Sequence, residues 1–275
     1  MSRRKEQLII VRGGGDIATG TIHKLHRSGY PVLVLEHEYP SAIRRHVAFS
    51  EAVYDGVSEV EGVRCVNVRD YEEALQVLEA GDIALLADPN CQVLRQVRPW
   101  ALVDGILAKK NLGTNRQMAD KTIGLGPGFC AGKDVDLVIE TMRGHNLGRI
   151  IGSGYALADT GVPGLICGYG KERVIHSPAK GILISRHQIG DKVKQGEKIA
   201  AVVTGHGEVA VEATLDGILR GLIRSGYPVT EGFKIADIDP RESEFENCFT
   251  ISDKARCIGG SVLEALMYLE EKQGY

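Results

Sequence analysis

Short apolar runs punctuate the first half of the chain at intervals suited to alternating strands and helices. Leu8-Ile9-Ile10-Val11 is continuous, as a strand covered on both faces requires, and Gly13-Gly14-Gly15-Asp16 follows it at once. Ile17, Ile22 and Leu25 then make a helical stripe, Ser28-Gly29-Tyr30-Pro31 stops it, and Val32-Leu33-Val34-Leu35 resumes as a second buried strand. Further strands are predicted at Ala52-Val53-Tyr54, Val63 to Val66, Ile83 to Ala87, Trp100 to Asp104 and Lys121 to Leu125, with a helix over Tyr71 to Glu79. From Gly124 to Gly132 glycines exclude a regular element; a strand-like stretch spans Lys133 to Thr141, and Arg143-Gly144-His145 opens another loop.

The second half repeats itself. Residues 181–200 and 217–236 align without gaps at a constant offset of 36, with identities at Gly181/Gly217, Ile182/Ile218, Leu183/Leu219, Gly190/Gly226, Val193/Val229, Gly196/Gly232 and Lys198-Ile199-Ala200/Lys234-Ile235-Ala236. Short strands between glycine turns, in two related halves, predict a small closed or sandwich-like β module. Further on, Ile258 to Lys272 has a glycine turn and then a helical apolar pattern. The expected class is therefore α/β: a Rossmann-like parallel-sheet domain over 1–150, a small duplicated all-β barrel-sandwich module over 174–240, and a C-terminal helical segment over 241–275 that packs back on one of them.

Composition adds limits. At 275 residues, 43% hydrophobic and 25% charged, the chain can bury real cores. A formal charge of −3 and a pI near 6.3 speak against a general nucleic-acid or anionic-membrane surface, so small molecules or proteins are the expected partners, with a homo-oligomer left open. The basic opening residues lack a secretory apolar region, and no run of about twenty apolar residues occurs. Six scattered cysteines without a C-x-x-C pair or zinc spacing fit reduced thiols in a cytoplasm.

Candidate chemistry gathers at two places. Gly13-x-Gly15-x-x-Ala18 between a strand and a helix, with Glu36 21 residues after Gly15, has the spacing of a dinucleotide fingerprint. There Gly13, Gly14, Gly15 and the helix N–H groups at Asp16 and Ile17 would line a pyrophosphate, and Glu36 would take ribose hydroxyls. Arg44 and Arg45 would instead answer a ribose phosphate, which leaves NAD and NADP both open. Asp88 and Asp104, at predicted strand ends, and the glycine loop with Gly126 and Gly128 are further crevice candidates. The second place is the stretch 134–145, where Asp134, Asp136 and Glu140 would share one strand face beside Arg143 and His145, with Cys130 on the preceding loop as a possible reactive thiol. No helical H-E-x-x-H or thiol spacing supports a metal there.

The repeat segments Ser177-Pro178-Ala179-Lys180-Gly181, Gly190 to Ala200 and Asp216-Gly217-Ile218-Leu219 resemble the biotinyl/lipoyl-like barrel family. The hairpin between the halves, Thr204-Gly205-His206-Gly207-Glu208, lacks that family's carrier lysine, so the module reads as structural or docking. Four further segments resemble the YqeB family: Gly13 to Gly20; Pro40-x-x-Ile43-Arg44-Arg45-x-Val47-x-Phe49; Gly126-Pro127-Gly128-Phe129-x-Ala131-Gly132; and Glu140-Thr141-x-Arg143-Gly144-His145. The nucleotide part also looks like XdhC-type maturation factors. That resemblance implies an accessory factor for a selenium-dependent molybdenum hydroxylase, with the hydroxylase as client and NAD(P) or a molybdopterin dinucleotide as ligand, Arg143 and His145 facing its reactive end. The alternatives are an NAD(P)-dependent oxidoreductase using Lys109 or His145 as acid/base, and a non-catalytic scaffold that docks a hydroxylase.

Overall fold

The computed structural model describes residues 3–161 and 164–273, which divide into two compact units. Unit 1 takes residues up to Pro40, Ala48–Thr160 and the chain from Ile251 onward; unit 2 takes Ser41–Val47 and Gly161–Thr250.

Unit 1 runs β1 (Ile9–Arg12), α1 (Asp16–Arg27), β2 (Val32–Glu36), a single turn α2 (Ala52–Asp55), β3 (Val57–Val60), β4 (Val63–Val68), α3 (Tyr71–Ala80), β5 (Ile83–Ala87), β6 (Ala101–Asp104), β7 (Lys121–Leu125), β8 (Cys130–Ala131), β9 (Leu137–Ile139), β10 (Ile150–Ile151) and β11 (Gly154–Tyr155). Nine strands form one sheet in the order β10-β9-β7-β6-β1-β2-β5-β4-β3, and β8 pairs with β11 apart from it. Its seven inner strands are mutually parallel, while β3 and β10 run antiparallel at the two edges. Residues of β1, β2, β5 and β6 are almost wholly buried, which is why their sequences are uninterrupted apolar runs. Asp70 caps α3, its carboxylate accepting the Glu73 N–H at 2.9 Å, and Gly81 ends that helix in the left-handed conformation.

Unit 2 carries β12 (Val174–His176), β13 (Gly181–Ser185), β14 (Lys192–Val193), β15 (Lys198–Thr204), β16 (Gly207–Glu212), β17 (Gly217–Leu222), β18 (Pro228–Val229) and β19 (Lys234–Asp239). They form two four-stranded sheets, β12-β19-β17-β14 and β16-β15-β13-β18. The repeats exchange strands: β14 of the first pairs with β17 of the second, and β18 of the second with β13 of the first. The shared residues explain themselves here. Leu183/Leu219, Val193/Val229 and Ile199/Ile235 fill the buried core. A Cβ on Gly181 or Gly217 would collide with the carbonyl oxygens of Val203 and Asp239 respectively, so the adjacent strand forbids a side chain at both.

The last helix, α4 (Asp253–Gln273), belongs to unit 1, starts five residues before the predicted pattern and packs along α1. The helices touch backbone to backbone. An added Cβ at Gly20 would stand 2.5 Å from the Ala255 carbonyl oxygen, and one at Gly259 would stand 2.6 Å from that of Gly20.

The expected fold class needs correction. The first unit is a mixed sheet with few helices, not a parallel Rossmann domain covered on both faces, and the second is a pair of separate antiparallel sheets, not a closed barrel. The connections from β5 to β6, β6 to β7 and β7 to β9 contain no α-helix among the described residues. Stretches such as Lys109-Lys110-Asn111-Leu112-Gly113 lack the apolar period a crossover helix needs. Ala52-Val53-Tyr54, expected as a strand, instead starts the helical turn α2, following a 3-10 turn over Phe49–Glu51.

Candidate functional site

The turn after β1 is packed on two sides and open on the third. A Cβ at Gly13 would meet the Ile106 backbone at 3.1 Å, and one at Gly14 would meet the Ser50 nitrogen at 3.0 Å, whereas nothing lies within 4 Å of the corresponding point on Gly15. The Gly14 N–H donates to Glu36 Oε2 at 2.7 Å, and the His37 N–H donates to Oε1 at 2.7 Å. Thr19 ties the turn down further, donating to the Gly14 carbonyl at 3.1 Å and accepting from the Phe49 N–H at 3.0 Å. Glu36 therefore braces its own glycine turn, each of its oxygens accepting one backbone N–H. Burial pushes the Glu36 carboxyl above the usual range, and the two backbone donors offset this in part. A raised folded value means the folded state holds the proton longer than the unfolded chain, so this group's contribution falls as pH rises from the ordinary glutamate value through the folded one. Glu36→Gln is expected to flatten the pH dependence of urea unfolding above the ordinary glutamate value; an unaltered profile would remove Glu36 as its source.

The ends of β1 and β6 hold a buried ion pair. Arg12 Nη1 lies 3.3 Å from Asp104 Oδ2, Thr114 donates to the same carboxylate, and Arg12 Nη2 donates to the Pro89 carbonyl at 3.2 Å. Arg12 and Asp104 are both almost inaccessible, and burial raises the Asp104 carboxyl above its usual range. Asp88 also turns inward on the protein, its Oδ2 accepting the Val93 N–H at 2.8 Å to cap the turn after β5. Its chemistry is that of a cap.

The middle loop disperses the residues expected to act together. Only Leu137–Ile139 is strand, so Asp134, Asp136 and Glu140 do not share one strand face. Asp134 accepts the Cys130 N–H at 2.8 Å, Asp136 accepts from the backbone and hydroxyl of Thr122 and from Arg116, and buried Glu140 accepts the N–H groups of Met142 and Leu157. Cys130 sits opposite Tyr155 on the two-stranded sheet. Gly126 and Gly128 leave no room for a side chain: their Cβ positions would lie 2.5 Å from Thr141 Oγ1 and 2.7 Å from the Lys110 Cα. Arg143 grips Asp253 with both terminal nitrogens, at 2.9 and 3.0 Å, and His145 is exposed. In unit 2, Arg44 donates to the Asn247 and Thr250 carbonyls and Arg45 to that of Leu222, so both are engaged with backbone.

The sequence reading missed Lys254. Because α1 and α4 cross in contact one turn into each helix, their first turns lie side by side, and Asp16 and Lys254 belong to those turns. The Lys254 amine is partly buried. It feels the charges of Arg143, Asp16, Asp159 and Glu140, and burial is the main cause that holds its pKa below the usual lysine range, with Arg143 second. Among the described residues it makes no hydrogen bond and no ion pair, whereas Lys109 pairs with Asp159 and Arg143 with Asp253. Beside it, Gly15 opens α1 without a side-chain cap. Among the described residues no three His, Cys, Asp or Glu side chains come together as metal ligands would, and no helix is long and apolar enough to cross a membrane.

Together these features define unit 1 as a mixed α/β unit in which the first turns of α1 and α4 lie side by side. The chain is 50% identical over 263 residues to the uncharacterized protein YqeB of Escherichia coli strain K12, an alignment covering 96% of this chain and 48% of that protein; the chain thus spans about half the length of the curated relative it matches. No family model matches it. Among solved structures it is similar to the product-bound ectoine utilization protein EutE of Ruegeria pomeroyi (11% identity, 84% of this chain and 56% of that one, TM-score 0.24). It is also similar to a succinylglutamate desuccinylase/aspartoacylase from Rhodobacter sphaeroides (10%, 86% and 85%, TM-score 0.30) and to an aspartoacylase family protein from Mesorhizobium loti (12%, 86% and 86%, TM-score 0.27).

The residues expected to contact a dinucleotide have partners within the protein. Gly14 and Glu36 satisfy each other, Gly13 is walled by Ile106, and Arg44 and Arg45 hold backbone carbonyls. The expectations of a maturation factor for a molybdenum hydroxylase, an NAD(P)-dependent oxidoreductase and a hydroxylase-docking scaffold are corrected, and none is carried forward.

Proposed function

We propose that unit 1 recognises a small metabolite through one oxyanion group, a carboxylate or a phosphate, held between the open N-terminus of α1 at Gly15 and the Lys254 amine. The observation that carries this is the pairing of an uncapped helix start, with free space above Gly15, and a partly buried lysine that has no ion-pair partner among the described residues. Helix N-terminal N–H groups attract negative charge, and an ammonium withdrawn from water gains most from an ionic ligand. Kinship with YqeB is part of the same reading, supported by the 50% identity.

Calorimetric titration with inorganic phosphate, malonate and succinate, at constant ionic strength, tests it. Saturable binding of at least one anion, weakened tenfold or more in Lys254→Met and in Gly15→Val, is expected. Binding that both variants leave unchanged would sink the site, and the ranking of the three anions separates phosphate from carboxylate recognition.

A further inference from the structure

A cavity of about 530 Å³ opens at the ends where the strands begin. Its floor and walls come from the segments that enter β1, β2 and β5 and from one side of α3: Leu8, Pro31 and Leu78 supply aliphatic surface, and Tyr30 and Tyr71 supply aromatic surface. The volume lies within the roughly 300–1,000 Å³ of small-molecule sites, and the lining is mainly apolar, as such sites are. Leu75 stands at its mouth, 42% exposed, an apolar side chain left in water beside an apolar hollow.

The charged side chains that line this cavity are all carboxylates, although Arg4 stands over the Tyr30 ring in its wall. Glu6, Glu79 and Asp82 line it, and the one imidazole among its walls, His26, is held below its usual pKa mainly by burial and so is neutral at pH 7. Asp82 is engaged by Arg64 at 3.0 Å, but among the described residues neither Glu6 nor Glu79 has an ion-pair partner. The same end of the unit already collects cations on aromatic rings. Lys121 Nζ stands 4.5 Å from the Trp100 ring centroid, Trp100 stacks on Tyr30 at 5.5 Å, and the Arg4 guanidinium lies 5.4 Å from the Tyr30 centroid while donating to the Ser28 carbonyl. Cations and aromatic faces attract one another through the ring quadrupole, and Tyr71 offers a ring without such a partner among the described residues.

We infer that this cavity binds a small organic ammonium with an apolar or aromatic body, the body on Leu8, Pro31, Tyr71 and Leu78 and the charged end against Glu6 and Glu79. The site lies apart from Lys254 and does not depend on the oxyanion reading.

Tryptamine is the probe, with indole-3-propionate as a ligand of the same ring and opposite charge. Saturation-transfer NMR and calorimetry are expected to show saturable binding of tryptamine and none of indole-3-propionate. Glu79→Lys, at an exposed helical position, is expected to weaken tryptamine at least tenfold without altering the far-ultraviolet circular dichroism, and Leu75→Trp to weaken it by occluding the mouth. Lys254→Met should leave it untouched, which keeps this result separate from the first site. Equal binding of both indoles, no binding of tryptamine, or tryptamine binding indifferent to Glu79→Lys would each overturn the inference.

Discussion

Asp104→Ala is expected to lower the unfolding free energy by about 3–5 kcal/mol, the cost of leaving one charge of a buried pair uncompensated. Arg12 would remain almost inaccessible at the end of β1, keeping only Thr114 and carbonyl oxygens in place of a carboxylate. Simultaneous replacement, Arg12→Met with Asp104→Leu, removes both charges at once and is expected to recover most of that loss, because well-packed apolar groups often match a buried ion pair in stability. Urea unfolding of the two single variants and the double variant measures the coupling directly. A loss below about 1 kcal/mol in Asp104→Ala would mean that water reaches Arg12 and that the pair is not sealed as the structure has it.

Gly20→Val is the second large effect. The new side chain would start 2.5 Å from the Ala255 carbonyl oxygen and 2.7 Å from its carbonyl carbon, and backbone cannot rotate away as a flexible side chain can. The expected loss is at least about 1–3 kcal/mol, the range for overfilling a packed interior, with faster amide exchange throughout α4 as the measurable sign. Gly259→Val should behave alike, since its Cβ would press on the Gly20 carbonyl. Gly15→Ala, where the same test finds open space, is the control and should cost about 1 kcal/mol at most without loosening α4, since it changes only the cap preference. Full protection of α4 in Gly20→Val would show that the helices can part without consequence.

These positions also show what one sequence reveals and what it withholds. The strand-helix-strand start was legible because β1 and β2 are buried on both faces, which forces continuous apolar runs, and because Gly29 and Pro31 punctuate the join. Ala52-Val53-Tyr54 misled because three residues are too few to separate a period of two from a helical turn, and packing beside β3 decided it. The glycine fingerprint describes backbone shape only. Whether a ligand can reach it depends on Ile106, Ser50 and the orientation of Glu36, all distant in sequence from the turn. Lys254 carried no signal for a similar reason: a lysine following aspartate at a helix start is ordinarily solvated, and its burial comes from contacts around Arg143 and Glu140, more than a hundred positions earlier. The 36-residue repeat was plain, but the exchange of β14 and β18 between sheets was not, because strand partnership is a long-range choice that local identity does not encode.

The division of the chain into units has a consequence for its synthesis. α4, which covers α1, is made some 230 residues after it, while Ser41–Val47, made early, belongs with strands that appear only after Gly161. On the ribosome, then, neither unit can be finished in the order in which it is begun. The face of α1 at Gly20, which α4 covers, waits for that cover through the translation of all of unit 2, for roughly ten seconds or more at ordinary elongation rates. A nascent chain stalled near residue 250 would hold that face bare, so the amides of α1 are expected to exchange faster there than in the finished protein.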